Sequence, residues 1–408
     1  MFLFLPSNPA HYRTMEPVAR ELSRLGHRIA FSVRDAHLDS SYSVDSLVRQ
    51  GGFTRYVYEG FYKLNMFQIL PPLGIWHHMR KDVFRYLDSV AFNAIIVCND
   101  FTVPFERLAI DYCRRNSRVS LLIQESVRPA FQRLPLAIRF RSDGPRSLIR
   151  PVERFIARRL VPSGYGRSEY GHSPCSLIAV AGDAFRRRLI SEGVDQEKIH
   201  ITGQPRLDQS RLITPRTIPS KIGPPTLLFC SQPSPVPQRV VDMMFVEMLE
   251  GCRQAGNVQL LVKLHPRDLA PEHWFAVAPN ALRPLLIDVT KTDSLESCFE
   301  VADAMVTIAS TTCLEAMQAG LPVGLIKYLP LEWHLPYEDH DAIIPIRCAS
   351  DFSEAIRALT RDEKLRQRLV RNAEDVLFDE LYLRDGKSAQ RIAQLLLTST
   401  ARIPGGAS

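Results

Sequence analysis

His11 stands in the stretch Pro6-Ser7-Asn8-Pro9-Ala10-His11-Tyr12-Arg13, between an apolar run, Phe2–Leu5, and a segment of helical spacing, Arg13–Leu25. An imidazole with a pKa of about 6.5 at a strand end can take a proton at neutral pH. It can equally be a loop histidine hydrogen-bonded to backbone. Asp100 occupies the matching place in Cys98-Asn99-Asp100-Phe101-Thr102, after the apolar run Ala94–Cys98. With both strands in one sheet, its carboxylate could fix the His11 tautomer and stabilise the imidazolium, as in a hydrolase triad. The alternative is an N-cap for the following helix. Glu125, in Gln124-Glu125-Ser126 after Val119–Ile123, is a third strand-end carboxylate, either an alternative base or a solvated loop residue.

A second set lies in the other half of the chain. Lys263, His265 and Arg267 close the run Leu260-Leu261-Val262-Lys263-Leu264-His265-Pro266-Arg267, and Ser310, Thr311, Thr312 and Glu315 follow the run Ala304–Ile308. Hydroxyls and backbone N–H groups at a helix start suit a phosphate, and neighbouring cations add to the positive potential. The blander readings are N-caps for Thr311 and Thr312 and a satisfied loop histidine for His265. Arg206, Ser231 and Gln232 are further candidates for ligand contacts.

Other chemistries lack their residues. No G-x-x-x-x-G-K-[ST] loop and no G-x-G-x-x-G after a strand occurs, and Gly164-Tyr165-Gly166 follows a basic helical stretch, so it reads as a turn. The eight cysteines form no C-x-x-C pair and read as small buried residues. His265 and His273 are not on an H-E-x-x-H helix, and Asp339-His340-Asp341 precedes a strand, so no metal and no other cofactor is expected.

Strand-like and helix-like stretches that alternate must position these residues. Further strand candidates are Arg28–Val33, Phe53–Tyr58, Ser176–Val180, Lys198–Thr202, Thr226–Cys230, Val258–Leu264, Leu285–Val289 and Pro322–Ile326. Helices are expected between them, as at Val236–Gln254 and Thr312–Ala319, and at the end, as at Lys387–Leu397. Such alternation predicts an α/β fold with parallel sheets covered on both faces. At about 100–200 residues per domain, a chain of 408 residues is expected to form two. The segment 213–225 holds four prolines and little apolar content, and reads as a linker between a domain over 1–212 and one over 226–385. A helix and tail over 386–408 follow. Two Rossmann-like doubly wound domains would then face a cleft, which receives the strands' carboxyl ends.

The spacing His11, Leu22, Gly26, His27 resembles the opening of GT-B nucleotide-sugar glycosyltransferases, where a first-loop histidine precedes a helix ending Leu-x-x-x-Gly-His. The resemblance implies that His11 deprotonates an acceptor hydroxyl with Asp100 behind it. The His265-Pro266 loop, the Ser310–Thr312 stretch and Gly320-Leu321-Pro322-Val323 look like that family's donor-binding domain. This implies phosphate contacts for Ser310, Thr311 and Thr312, a ribose contact for Glu315, and nucleotide or phosphate contacts for His265, with Lys263 and Arg267 adding charge. The His-Pro and Ser/Thr pair is similar to capsule and teichoic-acid polymer transferases. Two departures stand out: Ser7-Asn8-Pro9-Ala10 replaces the usual Gly-rich turn, and Ile308-Ala309 replaces a His-Cys-Gly element.

The expected function is metal-independent, inverting transfer of a sugar from a nucleotide-activated donor to an acceptor hydroxyl, lipid-linked or on a glycan. Nucleotide-sugar 2-epimerases share the fold, and Cys98–Thr102, Gln124-Glu125 and Ile201–Asp208 are similar to pieces of them. The acidic motif that follows the glutamate there is missing here, where Ser126–Pro151 is arginine-rich. An epimerase is therefore the alternative, and a non-catalytic nucleotide-sugar-binding protein the third reading.

The net charge of +7 is local: Ser126–His172 holds ten arginines, no lysine and three acids. A helix from Pro151 would align Val152, Phe155, Ile156 and Leu160 in one stripe, for packing on the sheet or for attachment to an anionic membrane. Few aromatic residues interleave with the arginines, so no nucleic-acid partner is expected. No stretch approaches the ~18 apolar residues of a membrane span, and Met1–Leu5 is too short for a signal peptide. A cytoplasmic, membrane-peripheral enzyme is expected.

Overall fold

The computed structural model describes residues 1–36, 43–60, 73–100, 104–125, 130–131, 170–208, 223–232, 236–265, 268–308, 310–329, 333–335, 337 and 340–402. Most of the arginine-rich segment, most of the 213–225 linker, Gly164–Gly166, Asp339 and Arg267 lie outside these residues. The chain forms two compact units, Met1–Val127 with Leu148–Arg211 and Asp379–Ser408, and Arg128–Ser147 with Leu212–Phe378.

The first unit is built on β1 (Phe2–Phe4), β2 (Ile29–Val33), β3 (Thr54–Val57), β4 (Ala94–Val97) and β5 (Val119–Ile123). After β6 (Ala130–Phe131) come β7 (Leu177–Val180) and β8 (Ile199–Ile201). Among the described residues the seven-stranded sheet runs β3-β2-β1-β4-β5-β7-β8, with every neighbouring pair parallel. Its central strands are continuous buried runs, as a sheet covered on both faces requires. The period of two divides β1 between two cores: Leu3 and Leu5 join one cluster, Phe2 and Phe4 the other.

Helix α1 (Pro9–Arg24) starts earlier than the apolar spacing alone predicts. The Asn8 side chain caps it by accepting from the His11 N–H at 3.0 Å, and Pro9 takes the first helical position, where its missing N–H costs nothing. His11 therefore belongs to the first helical turn, not to the loop. The helix stops at Gly26, which adopts φ +84° while His27 N–H reaches back to the Leu22 carbonyl. Its face of Met15, Val18, Ala19 and Leu22 is fully buried. Helices α2 (Val44–Gln50), α3 (Leu73–Asp88), α4 (Pro104–Arg115) and α5 (Asp183–Ser191) complete the first pass through this unit.

The second unit repeats the plan with β9 (Thr226–Cys230), β10 (Gln259–Lys263), β11 (Leu286–Thr290), β12 (Ala304–Thr307) and β13 (Val323–Ile326), then β14 (Trp333–His334) and β15 (Ile343–Ile346). Its described sheet runs β11-β10-β9-β12-β13-β15, all parallel, while β14 pairs antiparallel with β6. Between the strands lie α6 (Gln238–Gln254), α7 (Pro271–Val277), α8 (Leu295–Val301) and α9 (Thr312–Gln318), followed by α10 (Asp351–Arg361) and α11 (Glu363–Leu381). The last helix, α12 (Ser388–Ala401), returns to the first unit. There Ile392, Ala393 and Leu396 join the cluster holding the buried face of α1. The Asp208 carboxylate caps α12, accepting from Ser388 N–H at 3.0 Å and Ala389 N–H at 2.7 Å.

In each sheet the strand order reverses once, between β1 and β4 and between β9 and β12. Open parallel sheets bind ligands beyond the carboxyl ends of their strands at such reversals.

Candidate active site

In the first unit the reversal lies between β1 and β4; His11 sits in the first turn of α1, just past the loop after β1, and Asp100 sits in the loop after β4. His11 is buried, and its Nδ1 accepts a hydrogen bond from the Ser7 N–H at 3.3 Å. Burial, with the Arg34 charge beside it, lowers the imidazole pKa to about 4, so the ring is neutral at pH 7. A neutral ring whose Nδ1 accepts carries its proton on Nε2.

Ser7 itself is anchored. Its hydroxyl donates to Glu106 in the first turn of α4, and Glu106 is gripped by Arg34, which directly follows β2. Arg34 Nη2 lies 2.8 Å from Oε1 and Nη1 3.3 Å from Oε2, and the guanidinium covers the Phe105 ring at 5.1 Å. Ser7, Arg34 and Glu106 did not stand out in the sequence.

Asp100 does not hydrogen-bond His11, which corrects the pairing expected from their matching strand ends. It is buried, and its carboxylate accepts from Gly171 N–H at 3.0 Å and Ser173 N–H at 3.1 Å. Burial pushes its carboxyl up from the ordinary aspartate range, against the pull of these donors. Gly171 adopts φ +83°, a conformation that glycine reaches without strain. Asp100 thus ties the loop preceding β7 to the end of β4.

Glu125 is half-buried just beyond β5. Gln204, after β8, clamps its backbone: the amide nitrogen donates to the Gln124 and Glu125 carbonyls at 3.1 and 3.0 Å. Gln124 in turn accepts from the Ala181 N–H at 2.8 Å. Arg206 lies half-buried in the short turn Pro205–Leu207 that packs on α1.

In the second unit the candidates gather at the carboxyl ends of β10, β9 and β12, which are neighbours. Ser231 N–H donates to the Lys263 carbonyl at 3.0 Å and its hydroxyl accepts from the His265 N–H at 3.0 Å, so Ser231 braces two strand ends. Lys263 directs its ammonium to the carbonyls of Lys291 at 3.0 Å and Leu264 at 3.3 Å. The Gln232 amide nitrogen is buried without a hydrogen-bond partner among the described residues. Thr311 makes no side-chain cap; Ser310 does, its hydroxyl accepting from Thr312 N–H at 3.3 Å and from Thr312 Oγ1 at 2.9 Å. Glu315 lies half-buried in the first turn of α9.

No protein-family model and no curated protein sequence matches the chain. Solved structures do. CalG4, the calicheamicin glycosyltransferase, is 16% identical with a TM-score of 0.58, covering 99% of this chain and 98% of its own. UDP-GlcNAc 2-epimerase from Neisseria meningitidis, bound to UDP-GlcNAc, is 11% identical with a TM-score of 0.58, covering 97% and 99%. The wall teichoic acid polymerase TagF is 11% identical with a TM-score of 0.56, covering 98% and 89%. The fold is of the GT-B type, common to glycosyltransferases and these epimerases.

Proposed function

We propose that the protein transfers a sugar from a nucleotide-activated donor to an acceptor hydroxyl. The observation that carries this reading is the placement of both candidate sets beside the strand-order reversal of their own sheets. The first unit would take the acceptor, with its hydroxyl at His11 and with Glu125 near. The second would take the nucleotide, with phosphates at Ser310–Thr312 and the ribose at Glu315. Donors aimed at the leaving phosphate act where charge grows during the reaction, and so lower its barrier. Likeness to glycosyltransferases along nearly the whole chain supports the reading. The donor base, the acceptor's carrier and a membrane-peripheral location belong to the same proposal.

A 2-epimerase is the second reading, favoured by the equal likeness to those enzymes and by Asp100, a buried carboxyl whose raised pKa suits proton transfer. A thermal-shift panel of uridine, cytidine, guanosine and thymidine nucleotides finds the donor base, since a ligand at a hundred times its Kd stabilises by ~2.7 kcal/mol. Incubation with the matching nucleotide-sugar then separates the readings. Nucleotide release that depends on an added hydroxyl acceptor supports transfer. Inversion at the sugar C2 without acceptor supports the epimerase, and neither outcome leaves a binding protein.

A further inference from the structure

The tautomer of His11 decides what the ring can do, and three elements converge to set it. A backbone N–H can only donate, so the nitrogen facing Ser7 N–H at 3.3 Å must accept. The neutral ring has one proton, which then sits on Nε2. Nε2 has no hydrogen-bond partner among the described residues. The direction of the Ser7 amide is in turn fixed through its side chain, which donates to Glu106, and Glu106 is held in a fork by Arg34. Glu106 is 0% exposed and Arg34 8%, so this anchor is shielded from water.

We propose that Arg34, Glu106 and Ser7 form a positioning relay that holds His11 in its Nε2–H form, so that the ring offers an N–H donor, and not a lone pair, to an oxygen bound beside it. The opposite tautomer needs an acceptor at Nδ1. Among the described residues none is placed to supply it: the hydrogen bond at Nδ1 comes from the Ser7 N–H, Asp100 is bonded to Gly171 and Ser173, and Glu106 to Ser7 and Arg34. Placing a proton on Nδ1 would also set two N–H groups face to face. Among the described residues the charge acting on the ring is that of Arg34, at the end of β2 and paired with Glu106 on α4, and it opposes imidazolium formation.

Where an acceptor hydroxyl binds, a role that rests on the functional reading above, Nε2–H would hold its oxygen. The hydroxyl proton would then pass to a carboxylate, Glu125 being the half-buried one after β5, as the oxygen forms its bond to the sugar carbon and the nucleotide phosphate departs with the electrons of the broken bond.

The test is long-range proton–nitrogen NMR of the full chain labelled with 15N-histidine, without nucleotide, with His11→Gln identifying the signals by their loss. The expected result is an unprotonated Nδ1 and a protonated Nε2 from pH 5.5 to 8, by roughly tenfold or more, the bias one hydrogen bond supports. Ser7→Ala, which keeps the amide but frees its anchor, should lower that ratio at least about threefold. An Nδ1–H ring in the unaltered protein overturns the proposal, as does an unchanged ratio in Ser7→Ala. The measurement needs no turnover, so a protein that transfers no sugar but shows the Nε2–H ring loses the functional reading alone. Transfer with an Nδ1–H ring loses the relay alone.

Discussion

The Arg34 guanidinium and the Glu106 carboxylate meet at 2.8 Å with side-chain exposures of 9% and 0%. Withdrawing two charges from water is costly, and the close fork geometry, the Ser7 hydroxyl and the Phe105 ring under the guanidinium offset it. Glu106→Ala leaves Arg34 buried without its counter-charge and is expected to destabilise by about 3–5 kcal/mol. Urea unfolding of the full chain measures the loss, and a change under about 1 kcal/mol, the level of an exposed pair, would mean that water reaches the site.

Stability should fall on mild acidification. Burial with Arg34 alongside lowers the His11 pKa to about 4, against ~6.5 in the unfolded chain. The unfolded chain therefore takes up this proton first, so stability is full above about pH 6.5 and is lost as pH falls toward 4. A gap of about 2.5 units at about 1.36 kcal/mol each amounts to roughly 3 kcal/mol. Urea midpoints at pH 7 and pH 4.5 should drop further in the parent protein than in His11→Gln, and equal drops would contradict the lowered pKa.

His11→Ala is expected to reduce turnover about 10²–10³-fold with nucleotide affinity unchanged, the effect of losing one aligned donor. His11→Gln, whose amide N–H can stand near the Nε2 position, should recover part of that loss. Steady-state rates beside calorimetric nucleotide titrations give both quantities. A Gln variant as slow as the Ala variant would return His11 to the role of base.

Changing Thr311 and Thr312 together to Val should weaken nucleotide binding by about 1.5–3 kcal/mol, as expected when hydrogen bonds to a charged phosphate are lost. Glu315→Ala should weaken binding of a nucleoside more than of inorganic diphosphate. Isothermal titration of each variant checks this; unchanged affinities would leave Thr312 only its hydrogen bond to Ser310 and Thr311 no part in phosphate binding.

Much of the scaffold was legible because its signals are local. Apolar runs marked the strands, and Gly26 marked the helix stop that the structure places at φ +84°. The alternation of elements implied parallel sheets. The start of α1 was misread because the Asn8 cap and Pro9 carry no apolar period. The partners of the candidate residues were hidden for a different reason. Arg34 and Glu106 lie 72 positions apart, and Asp100 and Gly171 lie 71 apart. Only the strand order β2-β1-β4-β5-β7 brings them together, and that order is set by crossovers whose lengths reveal nothing about which side chains will meet.

The return of α12 has a consequence for the chain while it is being made. The apolar face of α1, with Met15, Val18, Ala19 and Leu22, waits for Ile392, Ala393 and Leu396. These are translated only after the whole of the second unit. At about 5–20 residues per second, roughly 370 residues of synthesis keep the part of that face that α12 covers open for some 20 to 70 seconds, while the sheet residues Phe4, Phe31 and Ile96 can pack on the rest. The second unit can therefore close before the first is complete, although the first begins to emerge earlier. A nascent chain halted before Ser388 should show ready protease cleavage within residues 9–24, and that cleavage should subside once α12 clears the ribosome.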